Sequence, residues 1–296
     1  MSYIDRALKI LADKFATDYV KWILGRSVIL VEKLSTELPA STKYTDLVYR
    51  VIDEQNRESI FHLEFQAQRS KEPMNLRMLG YNVRLIYEHN LPVCSTVIYL
   101  VKGSDAGDQG YFKSICPSGE EVLNFRYKVI KLWELDGVSI LKEKILGLYP
   151  LLGLTKLTEP TDKVFREIIS EIKNIENTVI AHDTLYCFKL LSEIMHPKEL
   201  LDALIRKEDI MESTIAKEIY QDGLEEGLIK GKLETLQDNI MGVLLARFEV
   251  PYKTEKQLEE NIKAINSIHV LQKLHIDAVK AQSFEDFLKV LDKLEL

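Results

Sequence analysis

The stretch "FHLEFQAQ" (61–68) carries a row of polar side chains that could do chemistry. His62, Glu64 and Gln66 alternate with apolar residues, and this period of two indicates a β-strand with one apolar and one polar face. An acid, an imidazole and an amide in one row could bind an ion or a substrate. The same row could equally be the solvated back of a sheet, which is the usual place for an acid on a strand.

A second acid, Asp46, lies on the strand predicted just upstream. If the turn between the two strands centres on Asn56, Asp46 pairs with Gln66 and lies diagonal to Glu64. Diagonal neighbours on one face are about 7–8 Å apart, which is within reach of a shared ion. Two carboxylates and an amide oxygen suit a hard cation such as Mg²⁺ or Mn²⁺ rather than Zn²⁺. Glu37, at the end of the preceding helix, could supply a further carboxylate.

The elements that would position these residues follow from hydrophobic periodicity and from turn residues. The pattern predicts helices within 3–37, strands over 46–52 and 60–67, a helix over 73–90, a buried strand over 92–103, a loop over 103–110 and strands near 111–116 and 122–133. From about residue 138 the pattern is helical. The sequence therefore predicts an α/β part followed by an all-α C-terminal region.

Composition restricts the class of protein. The chain has 296 residues, of which 46% are hydrophobic and 29% charged, as in ordinary globular proteins. No apolar run is long enough to span a membrane, and the three cysteines form no CxxC pair, which favours a reduced, cytoplasmic protein. The net charge of −7 is uneven, at +2 for residues 1–131 and −9 for the remainder. The first half is therefore the one that a polyanion such as DNA could approach.

The order of these features resembles the PD-(D/E)xK nuclease core, in which a helix is followed by strands that carry D…(D/E)xK. More narrowly, several stretches resemble the Rpn family of recombination-promoting nucleases and predicted transposases. These stretches are "STELP", "TDLVYRV", "IFHLEFQAQ", "NLRMLGYNVRLI", "PVCSTVIYLVKG", "RYKVIKLWEL", "LGLYPLLGLTKLT" and "DGLEEGLIKGKLE". The resemblance covers roughly residues 10–250 and implies a restriction-endonuclease-like core, a mixed sheet flanked by helices.

The resemblance also implies roles for four residues. Asp46 and Glu64 match the acids that hold Mg²⁺ or Mn²⁺, Glu37 matches a helix acid that some members add, and Gln66 falls where Lys is usual. The implied activity is metal-assisted hydrolysis of a DNA phosphodiester bond. Glutamine cannot act as a base or carry a positive charge, so it could only orient water or complete the ion's coordination. Rpn-like sequences commonly have E-x-Q at this point.

Four side chains are candidates for substrate contact. Arg77 and Tyr81 lie four apart on one helix face, so they could contact a phosphate or fix the helix to the sheet. Arg69 could neutralise a DNA phosphate, although most exposed arginines do not. His62 could be a site residue or simply a packed residue of the hairpin.

Three regions are predicted along the chain: a nuclease-like core over 1–137, a helical region over 138–220 that packs on or extends the core, and a charged helical region over 221–296. The last region begins with glycines spaced every four residues. They indicate either a flexible joint or a close approach of two helices, such as the contact of a homodimer. These glycines are Gly223, Gly227 and Gly231.

Together these features predict a cytoplasmic, metal-dependent DNA endonuclease linked to recombination or mobile DNA, with no membrane segment. The alternative is a protein of the same fold without catalytic activity, acting as a DNA-binding or protein-interaction module. Its acidic helical half would then be the partner surface.

Overall fold

The computed structural model describes residues 3–25, 27–35 and 45–292. The chain divides into two compact units, Met1–Ile219 and Tyr220–Leu296. The further division predicted at residue 137 stays a prediction. Within the described ranges, no helix has both the length and the apolar character needed to cross a membrane.

A mixed five-stranded sheet lies at the centre of the first unit. The strands are β1 (Ile29–Lys33), β2 (Leu47–Ile52), β3 (Glu58–Gln66), β4 (Val93–Tyr99) and β7 (Lys128–Lys131), in the order β1-β2-β3-β4-β7. The first three pair antiparallel, whereas β3, β4 and β7 pair parallel. A separate antiparallel hairpin consists of β5 (Tyr111–Ile115) and β6 (Glu121–Arg126). The predicted hairpin and the predicted buried strand are thus confirmed.

Helices surround this sheet and continue to the end of the described chain. In the first unit they are α1 (Tyr3–Lys14), α2 (Ala16–Leu24), α3 (Met74–His89), α4 (Gly137–Lys142), α5 (Thr161–Lys173), α6 (Thr178–Ser192), α7 (Lys198–Leu204) and α8 (Lys207–Met211), with 3-10 turns at 132–134 and 146–154. Helix α9 (Thr214–Arg247) is followed by α10 (Tyr252–Lys263), α11 (Ile268–Lys280) and α12 (Phe284–Leu291). An α/β part with a helical C-terminal region is therefore confirmed.

Helix starts follow from local capping. Asp136, Asn177, Ser267 and Ser283 each accept a backbone N–H of the first turn of their helix, which satisfies a donor that the helix leaves unpaired. The start of α9 is instead fixed from a distance, because buried Asp183 on α6 accepts from Ser213, Thr214 and Ile215.

The side chains of β3 divide between two cores. Leu63 and Phe65 belong to the core under α1 and α2, whereas Tyr81 of α3 lies in the core on the opposite face of the sheet. His62 and Glu64 alternate with the first pair and therefore face α3, where both are fully buried at 0% exposure. The polar row of "FHLEFQAQ" is thus covered by a helix at these two positions, and it is not a solvated sheet face.

One predicted element is wrong. Residues 29–33 lie in the range predicted as helical, but they form the edge strand β1, whose Ile29 pairs with Ile52 of β2. The strand is largely exposed, and its Glu32 binds Arg50 of β2 at 2.9 Å. Cross-strand pairing of this kind decides the structure of a short segment whose own pattern is ambiguous.

The glycines of the C-terminal region lie inside a continuous helix, α9. A Cβ added at Gly223, Gly227 or Gly231 would meet no other atom within 4 Å. Within the unit Tyr220–Leu296 no other helix therefore packs closely at these positions, whereas the flexible joint and the homodimer contact stay predictions.

Candidate active site

Asp46 and Glu64 lie directly opposite each other on the central hairpin. The ladder pairs Leu47 with Leu63, so Asp46, one residue before β2, faces Glu64. The backbone N–H of Asp46 donates to Glu64 Oε1 at 3.1 Å, and that of Phe65 donates to Asp46 Oδ2 at 2.7 Å. Each carboxylate is therefore fixed by backbone groups of the hairpin.

The predicted register is wrong by two residues, because Asp46 was expected opposite Gln66. The physical reason is the turn. Asp53 accepts N–H bonds from Gln55 and Arg57, and Asn56 adopts the left-handed φ of 58°, which Asn tolerates better than most residues. This geometry moves the centre of the hairpin one residue earlier and brings the two acids closer than the predicted diagonal.

Two cations neutralise the two carboxylates. Lys9 of α1 places Nζ 2.9 Å from Asp46 Oδ1. From the other side of the sheet, the Arg77 guanidinium donates to Glu64 Oε2 and, at 3.2 Å, to Gln66 Oε1. A buried carboxylate without such partners would be too costly to keep ionised.

Arg77 also connects the acid pair to Tyr81. Its Nε donates to the Tyr81 hydroxyl at 3.1 Å, and the guanidinium lies 5.5 Å from the centre of the Tyr81 ring. These contacts hold α3 to β3, which is the second of the two predicted alternatives for these residues; contact of either residue with a phosphate stays a prediction. Neither residue is placed against a phosphate by this geometry alone.

His62 belongs to a buried polar network. Asn82 donates to Ser95 Oγ at 3.1 Å, Ser95 Oγ lies 3.1 Å from His62 Nδ1, and His62 Nε2 lies 3.3 Å from Glu64 Oε1. Since Ser95 accepts from Asn82, its own O–H can donate to Nδ1, and the ring proton then sits on Nε2 and donates to Glu64. His62 is thus a packed residue that contacts Glu64, and its role in a functional site stays a prediction.

Burial changes the ionisation of the site. Burial and the nearby charge of Glu64 raise the pKa of Asp46 from 3.8 to about 6, although Lys9 and the Phe65 N–H act in the opposite direction. The pKa of Tyr81 is raised by burial and by Glu64. A carboxyl that titrates close to neutral pH within a buried charge cluster is a recognised property of functional sites, although structural networks show it too.

The remaining candidates lie elsewhere or outside the described residues. Glu37 falls in the range 36–44, which the structure does not describe. Arg69 is exposed and lines a separate cavity of about 480 Å³ at the carboxyl ends of β3 and β4. The structure shows no bond between Arg69 and the acid pair, so its contact with DNA stays a prediction.

Asp108 fixes much of the far wall of this cavity. Asp108 accepts the hydroxyls of Tyr99 and Tyr127, both at 2.6 Å, and the N–H of Gly110 at 2.9 Å. The loop that carries Asp108 is therefore fixed to the ends of two central strands. The cavity adjoins the β3–α3 connection, which begins just after Gln66.

Sequence reasoning missed three residues of the site: Lys9, Asn82 and Ser95. Lys9 also binds Asp5 at 3.3 Å one turn away, and such a pair at i, i+4 is typical of an ordinary helix surface. Asn82 and Ser95 lie on elements that were predicted correctly, but nothing local shows that their side chains meet His62. Only the packing of α3 on the sheet brings them together.

The donor set fits a hard divalent cation. Among residues 3–25, 27–35 and 45–292, no group of three or more His, Cys, Asp or Glu is arranged to hold a metal. Mg²⁺, however, commonly uses one or two carboxylates and completes its octahedron with water and substrate phosphate. Asp46 and Glu64 supply those carboxylates, and Gln66 offers an amide oxygen. Lys9 and Arg77 would have to give up contacts to them.

No family model, no curated protein and no solved structure matches this chain. The resemblance of its sequence to the Rpn family therefore stays a prediction. The buried acid pair is the feature on which a functional proposal depends.

Proposed function

We propose that the chain is a Mg²⁺-dependent DNA endonuclease of the PD-(D/E)xK class and the Rpn type, acting in the cytoplasm on recombining or mobile DNA. The observation that supports this proposal most strongly is the pairing of Asp46 with Glu64 on adjacent strands. The order of elements also agrees with it: a hairpin that carries both acids, a helix, and a strand parallel to the second hairpin strand.

In this proposal Asp46 and Glu64 would hold the ion, and Gln66 would orient a water molecule or complete the coordination. A bound divalent ion polarises a phosphate oxygen and lowers the pKa of a bound water. The buried setting matters because charge–charge attraction is stronger where water is excluded. His62, with its ring proton on Nε2, donates to Glu64 and would fix the orientation of that carboxylate.

Lys9 and Arg77 would neutralise the acid pair whenever the ion is absent. Both lie within hydrogen-bond distance of the carboxylates, so the fold does not depend on metal to satisfy these charges. A divalent ion held by the two carboxylates would replace the charges of Lys9 and Arg77 there. The Lys9 ammonium and the Arg77 guanidinium could then pair with the negative charge of the phosphodiester.

The same contacts favour the second candidate, a nuclease-fold protein that does not cleave. If Lys9 and Arg77 hold the carboxylates permanently, the acid pair is a structural ion-pair cluster. The chain would then act as a DNA-binding or protein-interaction module through its remaining surface, including its acidic C-terminal half.

Cleavage of supercoiled plasmid separates the two candidates. The expected result is nicking with Mg²⁺ or Mn²⁺, none with EDTA, and a loss of about a hundredfold or more in Asp46→Asn and Glu64→Gln. Glu54→Gln, in the exposed hairpin turn, is the matched control and should cleave as the unmodified chain does. Folding of each variant is checked by circular dichroism.

Calorimetric titration with Mg²⁺ completes the test. The endonuclease proposal requires metal binding that both acid substitutions remove. Metal-independent nicking, or nicking that survives both substitutions, would overturn it. Folded protein that neither binds Mg²⁺ nor cleaves DNA would support the non-catalytic candidate instead.

A further inference from the structure

A row of buried polar groups runs from helix α3 through strand β4 to Glu64. It consists of Asn82, Ser95 and His62, which are 7%, 6% and 0% exposed. Burying polar groups is costly unless each of them is hydrogen-bonded. The hydrogen bonds of this row have one consistent direction, and that direction leads to the Glu64 carboxylate.

The direction is fixed first at the Asn82 end. The carbonyl of Val93 can only accept, so the Asn82 atom that lies 3.2 Å from it is the amide nitrogen. The second hydrogen of this nitrogen is donated to Ser95 Oγ at 3.1 Å. Because Ser95 accepts from Asn82, its own O–H is left to donate to His62 Nδ1, which also lies 3.1 Å away.

The Glu64 end requires the same direction. His62 Nε2 lies 3.3 Å from Glu64 Oε1, and an ionised carboxylate only accepts. A ring with its single proton on Nδ1 would set the lone pair of Nε2 against this oxygen. That ring, and a doubly protonated ring as well, would leave the Ser95 hydrogen without an acceptor in the network. A single proton on Nε2 satisfies both ends, and Tyr81 packs edge-on against the imidazole with centroids 5.5 Å apart.

The two oxygens of Glu64 differ in the groups that hold them. Oε1 accepts the backbone N–H of Asp46 at 3.1 Å and the ring N–H of His62. Oε2 accepts from the Arg77 guanidinium, which is carried by a long side chain of another element. The contact at Oε2 can therefore be exchanged for a contact with an ion without breaking a bond that the hairpin makes to itself.

We propose that Ser95 is a positioning residue for the metal site and that it acts through His62. By donating to Nδ1, Ser95 keeps His62 a hydrogen-bond donor to Glu64 Oε1. The imidazole is then not itself a ligand, and Glu64 keeps Oε2 for the ion. Hydrogen bonds that orient a ligand in this way commonly change metal affinity by about 10- to 100-fold. The inference rests on the proposed function, because it takes Glu64 as a ligand of Mg²⁺.

Nitrogen NMR of the full chain with isotope-labelled histidine tests the tautomer in the absence of metal. The chemical shifts of the two ring nitrogens distinguish the protonation states of an imidazole. The signals of His62 are those that disappear in a His62→Gln variant. In EDTA at pH 7.5 we expect a proton on Nε2 and none on Nδ1. A proton on Nδ1, in either the neutral or the charged ring, would overturn the proposal.

Calorimetric titration with Mg²⁺ tests the role of the hydroxyl. Ser95→Ala should raise the Mg²⁺ dissociation constant about tenfold or more, whereas Ser95→Thr keeps a hydroxyl and should bind Mg²⁺ much as the unmodified chain does. Thr96→Val is the matched control, because Thr96 is a buried residue of the same strand whose side chain faces the opposite side of the sheet. It removes a hydroxyl at nearly constant volume and should leave the dissociation constant unchanged. Circular dichroism checks that each variant folds.

The results of this titration separate the present inference from the endonuclease proposal. Ser95→Ala that binds Mg²⁺ as tightly as Thr96→Val would overturn the inference. Equal losses in Ser95→Ala and Ser95→Thr would also overturn it, because packing rather than the hydroxyl would then set the affinity. Both results leave the endonuclease proposal standing. An unmodified chain that binds no Mg²⁺ would overturn both, because the acid pair would then not be a metal site.

Discussion

The substitution Asp46→Asn offers the sharpest test of the buried acid pair. It removes one ionisable group and keeps the shape of the side chain, and its amide oxygen can still accept the N–H of Phe65. Lys9 loses one partner but keeps Asp5 at 3.3 Å. The change in stability therefore reports mainly what it costs to ionise Asp46 inside the fold.

The magnitude follows from the pKa of Asp46, which burial and Glu64 raise from 3.8 to about 6. Between these values the folded chain holds a proton that the unfolded chain has released, so the free energy of unfolding falls as the pH rises through this window. At about 1.4 kcal/mol for each pH unit, the full loss is about 3 kcal/mol. Without metal, Asp46→Asn should therefore be about 1–3 kcal/mol more stable than the unmodified chain at pH 7.5, and close to it at pH 4.

Urea unfolding in EDTA at a series of pH values measures this difference. Mg²⁺ added at neutral pH should raise the melting temperature of the unmodified chain but not that of the variant, since a ligand stabilises only the state that binds it. Glu54→Gln, in the exposed turn, should show neither effect. An Asp46→Asn variant that is less stable than the unmodified chain at pH 7.5, or a stability difference that does not change with pH, would refute a raised pKa of Asp46.

Two further predictions concern the cations of the site. Arg77→Met removes the guanidinium from the fully buried Glu64 carboxylate, and it should lower the free energy of unfolding in EDTA by about 2–3 kcal/mol. Part of this loss should be recovered in Mg²⁺. Urea unfolding measures both effects, and an unchanged free energy of unfolding would contradict the contact between Arg77 and Glu64. Lys9→Met removes the ammonium that lowers the pKa of Asp46, so this pKa should rise further. The fall in the free energy of unfolding with rising pH should therefore extend to higher pH than in the unmodified chain. The pH series of unfolding measures that shift, and Lys21→Met on the exposed side of the neighbouring helix should leave it unchanged.

The central hairpin could be predicted from sequence, but its register could not. The β-branched, apolar and aromatic residues of "DLVYRVI" and the alternation in "IFHLEFQ" predict both strands, because residue type and side-chain periodicity are local properties. The register depends on the turn, and there the left-handed Asn56 and the bonds accepted by Asp53 decide the outcome. A shift of two residues keeps every side chain on its face, so the predicted faces were correct while the predicted partner of Asp46 was not.

The acids of the site could be predicted, but not the groups that surround them. An acid and an amide in E-x-Q spacing are visible in the sequence, whereas the contacts of Lys9 and Ser95 are tertiary. The burial of Glu64 cannot be predicted from the sequence either. Glu64 sits on a strand face that the sequence leaves open to solvent or to packing, and its complete burial follows from the way α3 crosses that face.

The carboxylate of Asp108 has a consequence for the cavity beside the β3–α3 connection. Its bonds to two tyrosine hydroxyls and to the N–H of Gly110 restrict a loop that would otherwise sample many conformations. The loop loses its conformational entropy when the chain folds, so the binding of a molecule in the cavity would not carry the free-energy cost of ordering the loop. The binding free energy in this cavity would therefore depend mainly on the contacts that the molecule makes, because ordering the loop would subtract little from it.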